Sequence, residues 1–161
     1  MPIEIREPRS SEELERLFDL RYRILREPWG APRQKPRAGH DTQCHAPQTR
    51  GSERDDEEAR AFHLAAFDNG KIMGTSRLQR VSKSVARVRY MAVDENYRGK
   101  GIGGLLLEGL EKEAVRLGVK KLMLNAREKA VPFYERHGYT NTGEGEMLFG
   151  VIRHFKMEKT L

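Results

Sequence analysis

The sequence predicts an α/β fold in which a mixed sheet carries helices on both faces. Three observations predict it. Apolar residues recur at helical spacing in two separate stretches, Leu14 to Leu25 and Ile102 to Leu117. Between and after them lie segments of strand character, one pair joined at Asn69-Gly70. A strand, a glycine-rich loop and a helix follow one another from Val88 to Leu107, the signature of a crossover unit.

In chain order, Ile3 to Arg6 is a short strand. Ser10 and Glu13 match a capping box, in which each side chain serves an orphan backbone N–H. Leu14, Leu17, Phe18, Tyr22 and Leu25 then mark a helix to about Arg26, ended by Pro28. Composition changes from Gly30 to Asp56, where Pro32, Pro36 and Gly39 fall in a stretch without apolar period; a loop or insertion is expected at about 31–52. Asp55 to Glu58 begins a helical turn. Ala61 to Phe67 and Lys71 to Val81 are strands joined by a hairpin, because Asn-Gly tolerates positive φ at both turn positions. Ser84 to Val93 is the next strand. Ile102, Leu105, Leu106, Leu110, Ala114 and Leu117 form an amphipathic helix stopped by Gly118. Val119 to Asn125 is a strand, Ala130 to Arg136 a short helix closed by His137-Gly138, and Tyr139 to Lys159 two more strands.

At 161 residues the chain is expected to be one domain, 1–161, with a real core. Hydrophobic residues at 37% beside 34% charged ones exclude disorder throughout, and no apolar run approaches the ~20 residues of a membrane span. Cys44 is the only cysteine, so no internal disulfide forms and a reducing cytoplasm fits. The net charge of +6 favours an anionic partner without naming it. A nucleic-acid-binding module is disfavoured, because aromatics are only 7% and fall mostly at expected core positions.

Arg98-Gly99-Lys100-Gly101-Ile102-Gly103-Gly104 opens the second long helix. Its N–H groups lack intrahelical acceptors, the helix dipole adds partial positive charge, and Arg98 and Lys100 add two full ones. Phosphate binding follows. A P-loop is excluded because Gly101, not Ser or Thr, follows Gly99-Lys100. Gly99, Gly101 and Gly104 satisfy a dinucleotide G-x-G-x-x-G. However, five residues separate Val93 from Gly99, and Val119 to Asn125 lacks the expected ribose carboxylate. An NAD(P) enzyme with Arg127 at a 2′-phosphate remains the weaker alternative.

Arg98 to Gly103 resembles the (Q/R)-x-x-G-x-(G/A) pyrophosphate loop of the GNAT acetyltransferase superfamily. Met91-Ala92-Val93-Asp94 is similar to the family's strand-ending run. Leu124-Asn125-Ala126 with Ala130 to Tyr139 resembles its second half-motif. Arg21-Tyr-Arg, Pro28-Trp29-Gly30 and Gly51 to Asp56 look like a bacterial subset, in which Gln34 to Arg50 reads as an insertion.

The resemblance implies a mostly antiparallel sheet of six or seven strands and acetyl-CoA-dependent transfer to a primary amine, with no metal. It assigns the pantetheine arm to the main chain of Met91, Ala92 and Val93, and the pyrophosphate to Arg98, Gly99, Lys100, Gly101, Ile102, Gly103 and Gly104. Asn125 lies where two parallel strands splay, and Tyr134 is the general acid and a cofactor contact. A non-catalytic acyl-CoA sensor on the same fold is a further alternative. Dimerisation is common among such relatives, but no feature here speaks for it.

Acetyl transfer requires a neutral amine, hence a base. Family members often carry a glutamate on the strand before the loop, where this chain has Arg87 and Arg89. His63, His154 or a water relay are the alternatives, and each histidine also reads as an ordinary strand residue. His137 reads as a helix end. His40, Asp41, Cys44 and His45 offer metal-ligand types without a second ligand pair, so they read as loop. Glu53, Asp55, Asp56, Glu57 and Glu58 read as a solvated acidic face, or as a lure for a cationic amine at the cleft mouth.

Overall fold

In the computed structural model, β1 (Glu4–Arg6), β2 (Phe62–Asp68), β3 (Lys71–Arg80) and β4 (Val85–Val93) form an antiparallel run. β5 (Lys121–Arg127) joins β4 in parallel, and β7 (Ile152–Thr160) lies antiparallel between β5 and the edge strand β6 (Thr140–Leu148). The sheet order is β1-β2-β3-β4-β5-β7-β6, mixed and mostly antiparallel as expected. Three helices complete it: α1 (Ser11–Leu25), α2 (Ile102–Arg116) and α3 (Val131–Arg136). The structure describes residues 2–30 and 54–161. The expected loop at 31–52 and the His40-Asp41-Cys44-His45 group lie outside them.

Local chemistry explains most boundaries. The Ser10 hydroxyl accepts from the Glu13 N–H at 3.1 Å, making one half of the capping box. The other half differs from expectation. The Glu13 carboxylate accepts from the Arg9 N–H at 2.7 Å and from both Arg6 Nη atoms, which draw it back toward β1. Asn69 and Gly70 both take positive φ, 50° and 82°, as the tight hairpin requires.

Two cores flank the sheet. On one face, Ile102, Leu106, Leu107 and Leu110 of α2 pack on Leu64, Ala66, Leu122 and Leu124. On the other, Leu17, Phe18 and Leu20 of α1 pack on Ala65, Phe67 and Ile72. Successive β2 residues therefore feed opposite cores, so Leu64 to Phe67 is buried throughout rather than alternating. Among the described residues no helix is long and apolar enough to cross a membrane.

Candidate active site

The parallel β4–β5 ladder runs from Val85↔Lys121 to Val88↔Leu124 and goes no further, although both strands continue. A bulge accompanies the parting. Tyr90 sits at φ 53°, and the β4 register against β3 shifts between Thr75 and Arg77. Ala86 and Val88 face the α2 core before the bulge, and Met91 and Val93 pack on it afterwards. Tyr90 and Ala92 turn instead to Leu25 at the end of α1. One extra residue thus reverses the faces of the strand end. In the opening lies a cavity of about 220 Å³ lined by residues of both strands, among them Met91 and Asn125, and by Tyr134 of α3.

β4 leads directly to the second part of the site. Asp94 caps a short turn by accepting from the Asn96 N–H at 2.9 Å and from Arg23 at 2.6 Å. The exposed Arg98 donates through Nε to the Val93 carbonyl at 3.3 Å, and the Lys100 ammonium lies 5.2 Å from the Tyr97 ring centre. Gly99 and Gly101 adopt left-handed φ of 77° and 78°, and nothing lies within 4 Å of where their Cβ atoms would be. No side chain caps α2 at Gly101, and its first turn holds no acid. The N–H groups of Ile102, Gly103 and Gly104 are left to an external acceptor. A cradle open at two glycines, cationic and without an internal cap, fits a diphosphate. Gly103 and Gly104 let α3 approach, since a Cβ on either would meet the Phe133 ring at 3.2 Å or His137 Nε2 at 3.0 Å.

Tyr134 is buried on α3, edge-on to Phe133 and Tyr139 with ring centres 5.0 and 5.7 Å away. Its hydroxyl makes no hydrogen bond among the described residues, and burial pushes the phenol well above its ordinary range. The group therefore keeps its proton. Asn125 is exposed on β5, opposite Lys156 of β7.

The three histidines part company. His63 is committed at both nitrogens, with Nε2 donating to the Glu58 carbonyl at 2.7 Å and Nδ1 accepting from Arg21 at 3.2 Å. His154 lines the cavity, with Nδ1 3.1 Å from the carbonyls of Glu146 and Ile152. A carbonyl only accepts, so Nδ1 bears the hydrogen and Nε2 keeps its lone pair. Burial lowers the His154 pKa, as do the charges of Arg127 and Arg26, so the ring is held neutral. His137 Nδ1 lies 2.8 Å from the Phe133 carbonyl at the end of α3.

Glu53 of the acidic run lies outside the described residues and Asp56 is exposed, but Asp55 and Glu58 are turned inward. Arg21 of α1 and Arg77 of β3 are fully buried, and Asp55 and Glu58 are the carboxylates that compensate them. Glu58 accepts from Arg21 at 2.8 and 2.9 Å and from Arg77 at 2.6 Å. Asp55 takes both Arg77 Nη atoms at 2.7 and 2.8 Å, and Arg89 at 3.1 Å. Burying two guanidiniums demands such partners. The Tyr90 ring completes the cluster, with the Arg21, Arg77 and Arg89 guanidinium carbons 4.3 to 4.9 Å from its centre. Sequence reading missed Arg21 and Arg77 as interior residues. Their only early signal was two arginines placed inside otherwise apolar element faces.

Arg127 also takes an unforeseen position. It is half-buried on β5, donates to the Leu25 carbonyl at 2.9 Å, and lines the β4–β5 cavity. Among the described residues no cluster of His, Cys, Asp and Glu is gathered for a metal.

An acetyltransferase (GNAT) domain model matches residues 37–161. YjcF of Bacillus subtilis strain 168, named an uncharacterised N-acetyltransferase, is 35% identical over 105 residues, 65% of this chain and 74% of the relative. YitI of the same strain, named likewise, is 28% identical over 154 residues, 92% of each chain. In fold, the chain is similar to the PaiA N-acetyltransferase of Thermoplasma acidophilum, solved in complex with coenzyme A. The TM-score is 0.72 and identity 20%, with 100% of each chain covered. A GNAT acetyltransferase of Elizabethkingia anophelis with acetyl-CoA bound superposes with a TM-score of 0.68 at 17% identity, covering 99% of this chain and 98% of that one. The splayed strands, the glycine cradle and these matches agree: the chain belongs to the GNAT acetyltransferase family and is an acyltransferase.

Proposed function

We propose that this protein transfers the acetyl group of acetyl-CoA to a primary amine by direct attack within a ternary complex. One observation carries the reading. The uncapped, glycine-lined start of α2 and the parted ends of β4 and β5 are joined by a single short loop, so one extended ligand reaches both. Coenzyme A in the Thermoplasma acidophilum structure and acetyl-CoA in the Elizabethkingia anophelis one support that choice of ligand.

Arg98, Gly99, Lys100, Gly101, Ile102, Gly103 and Gly104 hold the pyrophosphate. The main chain of Met91, Ala92 and Val93 pairs with the pantetheine arm, and Asn125 offers its amide from β5. The thioester supplies an activated acetyl group. The amine lone pair forms the new C–N bond as the C–S bond breaks. The proton lost by nitrogen passes to His154 Nε2, directly or through one water, and the departing sulfur takes the Tyr134 proton. Burial keeps the Tyr134 phenol protonated, so its hydroxyl is on hand to donate to the sulfur as negative charge develops there.

Calorimetric titration with acetyl-CoA, competed by CoA and by NADPH, tests the cofactor. Release of free thiol with a panel of amines then tests transfer. Binding competed by CoA alone, with thiol release, is the expected result. Competition by NADPH restores the dinucleotide alternative, and binding without transfer to any amine leaves an acyl-CoA sensor.

A further inference from the structure

The amine acceptor has chemistry of its own, and the cavity walls speak to it. Four arginines are among the described residues lining the β4–β5 opening, Arg26, Arg87, Arg89 and Arg127, with one acidic residue, Glu146. Arg87 makes no hydrogen bond or ion pair among the described residues, and its Nε is buried without a partner. Arg127 has one hydrogen bond there, to the neutral Leu25 carbonyl, which offsets none of its charge. Arg89 reaches Asp55 at 3.1 Å, but that carboxylate is already gripped by both Arg77 Nη atoms. Among the described residues no carboxylate pairs with Arg87 or Arg127, and holding such guanidiniums at a half-buried cavity costs free energy. A guest anion recovers it.

We infer that the acceptor is an acidic amine, bearing a carboxylate or phosphate that Arg87 and Arg127 bind within this cavity. The inference rests on the acetyl-CoA reading and deepens it. Burial and then the neighbouring Arg26 charge pull the Arg127 pKa down to about 10. A planar guanidinium pairs two N–H groups with two oxygens of either anion, so both sources share one recognition chemistry. Polyamines and basic peptides are the acceptors this wall repels. Two carboxylates of the acidic run, Asp55 and Glu58, are engaged by Arg21, Arg77 and Arg89. The arginines also stand where a family glutamate base was expected, so β4 serves acceptor binding here and not proton removal.

The test compares matched amines at saturating acetyl-CoA: O-phosphoethanolamine with ethanolamine, β-alanine with β-alaninamide, and spermidine as the polycation. The acidic member of at least one pair is expected to show kcat/KM higher by about tenfold or more, as for desolvated charge pairs, and the responding pair tells phosphate from carboxylate. Arg87→Gln is expected to erase most of that preference while acetyl-CoA affinity, measured by calorimetry in the same preparation, stays within about twofold. Equal or better use of ethanolamine, β-alaninamide or spermidine overturns the inference. So does a preference that survives Arg87→Gln, or no transfer to any of the five amines by a protein that binds acetyl-CoA. Failure to bind acetyl-CoA at all is the separate failure of the cofactor reading.

Discussion

Val88 and Leu124 are the last residues to face each other across the β4–β5 ladder, and the site begins where that pairing ends. Parallel strands that part leave main-chain groups on both inner edges in need of partners. On the proposed function, the pantetheine arm supplies them. The bulge at Tyr90 holds the strands apart, and the guanidiniums around its ring stabilise a φ that a non-glycine residue seldom adopts.

Removing the Tyr134 hydroxyl separates binding from chemistry. Tyr134→Phe keeps the edge-on packing against Phe133 and Tyr139 and loses only the hydroxyl. Turnover is expected to fall roughly a hundredfold, at the lower end of general acid catalysis. The acetyl-CoA dissociation constant, read by calorimetry, should hardly move.

Gly101→Ala tests the cradle. A Cβ there meets no protein atom, so the methyl projects into the open space of the loop, and φ 78° strains any L side chain. Acetyl-CoA binding is expected to weaken roughly tenfold, equivalent to about 1.4 kcal/mol. Strain alone should cost the free protein about 1 kcal/mol in denaturant unfolding.

Glu58→Gln attacks the buried arginine pair. The amide keeps the shape but removes the carboxylate charge that Arg21 and Arg77 share. Breaking a buried pair in this way costs about 3 kcal/mol. For a domain of this size the thermal midpoint should drop by roughly 10 °C.

Acid should weaken the fold before any carboxylate titrates. His63 and His154 both have lowered pKa values, each chiefly through burial. The unfolded chain therefore takes up protons that the folded one refuses, so stability rises with pH through the imidazole range and is lost as pH falls below about 6.5. Calorimetric midpoints between pH 7.5 and 5.5 should decline, and His63→Gln should flatten the decline. On the proposed mechanism, His154→Gln lowers turnover and removes the acid limb of its pH profile.

Much of the fold was legible because its rules are short-range. The Asn69-Gly70 turn, the Ser10 cap and the heptad-like run Ile102 to Ala114 each depend on residues a few positions apart. The glycine cradle was legible for the same reason, as Gly99 to Gly104 form one contiguous turn into a helix. The reach of the Glu13 carboxylate to Arg6, away from the Ser10 N–H, was not, since a charge from β1 outcompeted the local partner.

By itself the sequence determined the element order and the glycine-rich entry to α2. Only the tertiary structure decided that His63 is spent on Arg21 and Glu58 while His154 faces the cavity, although both sit on strands. It alone turned Asp55 and Glu58 from a surface run into counter-ions for Arg21 and Arg77, and set Arg127 beside Leu25, 102 residues away. The physical reason is range. Helix period, caps and turn geometry are settled within a few residues, whereas charge compensation depends on neighbours that only the closed fold supplies.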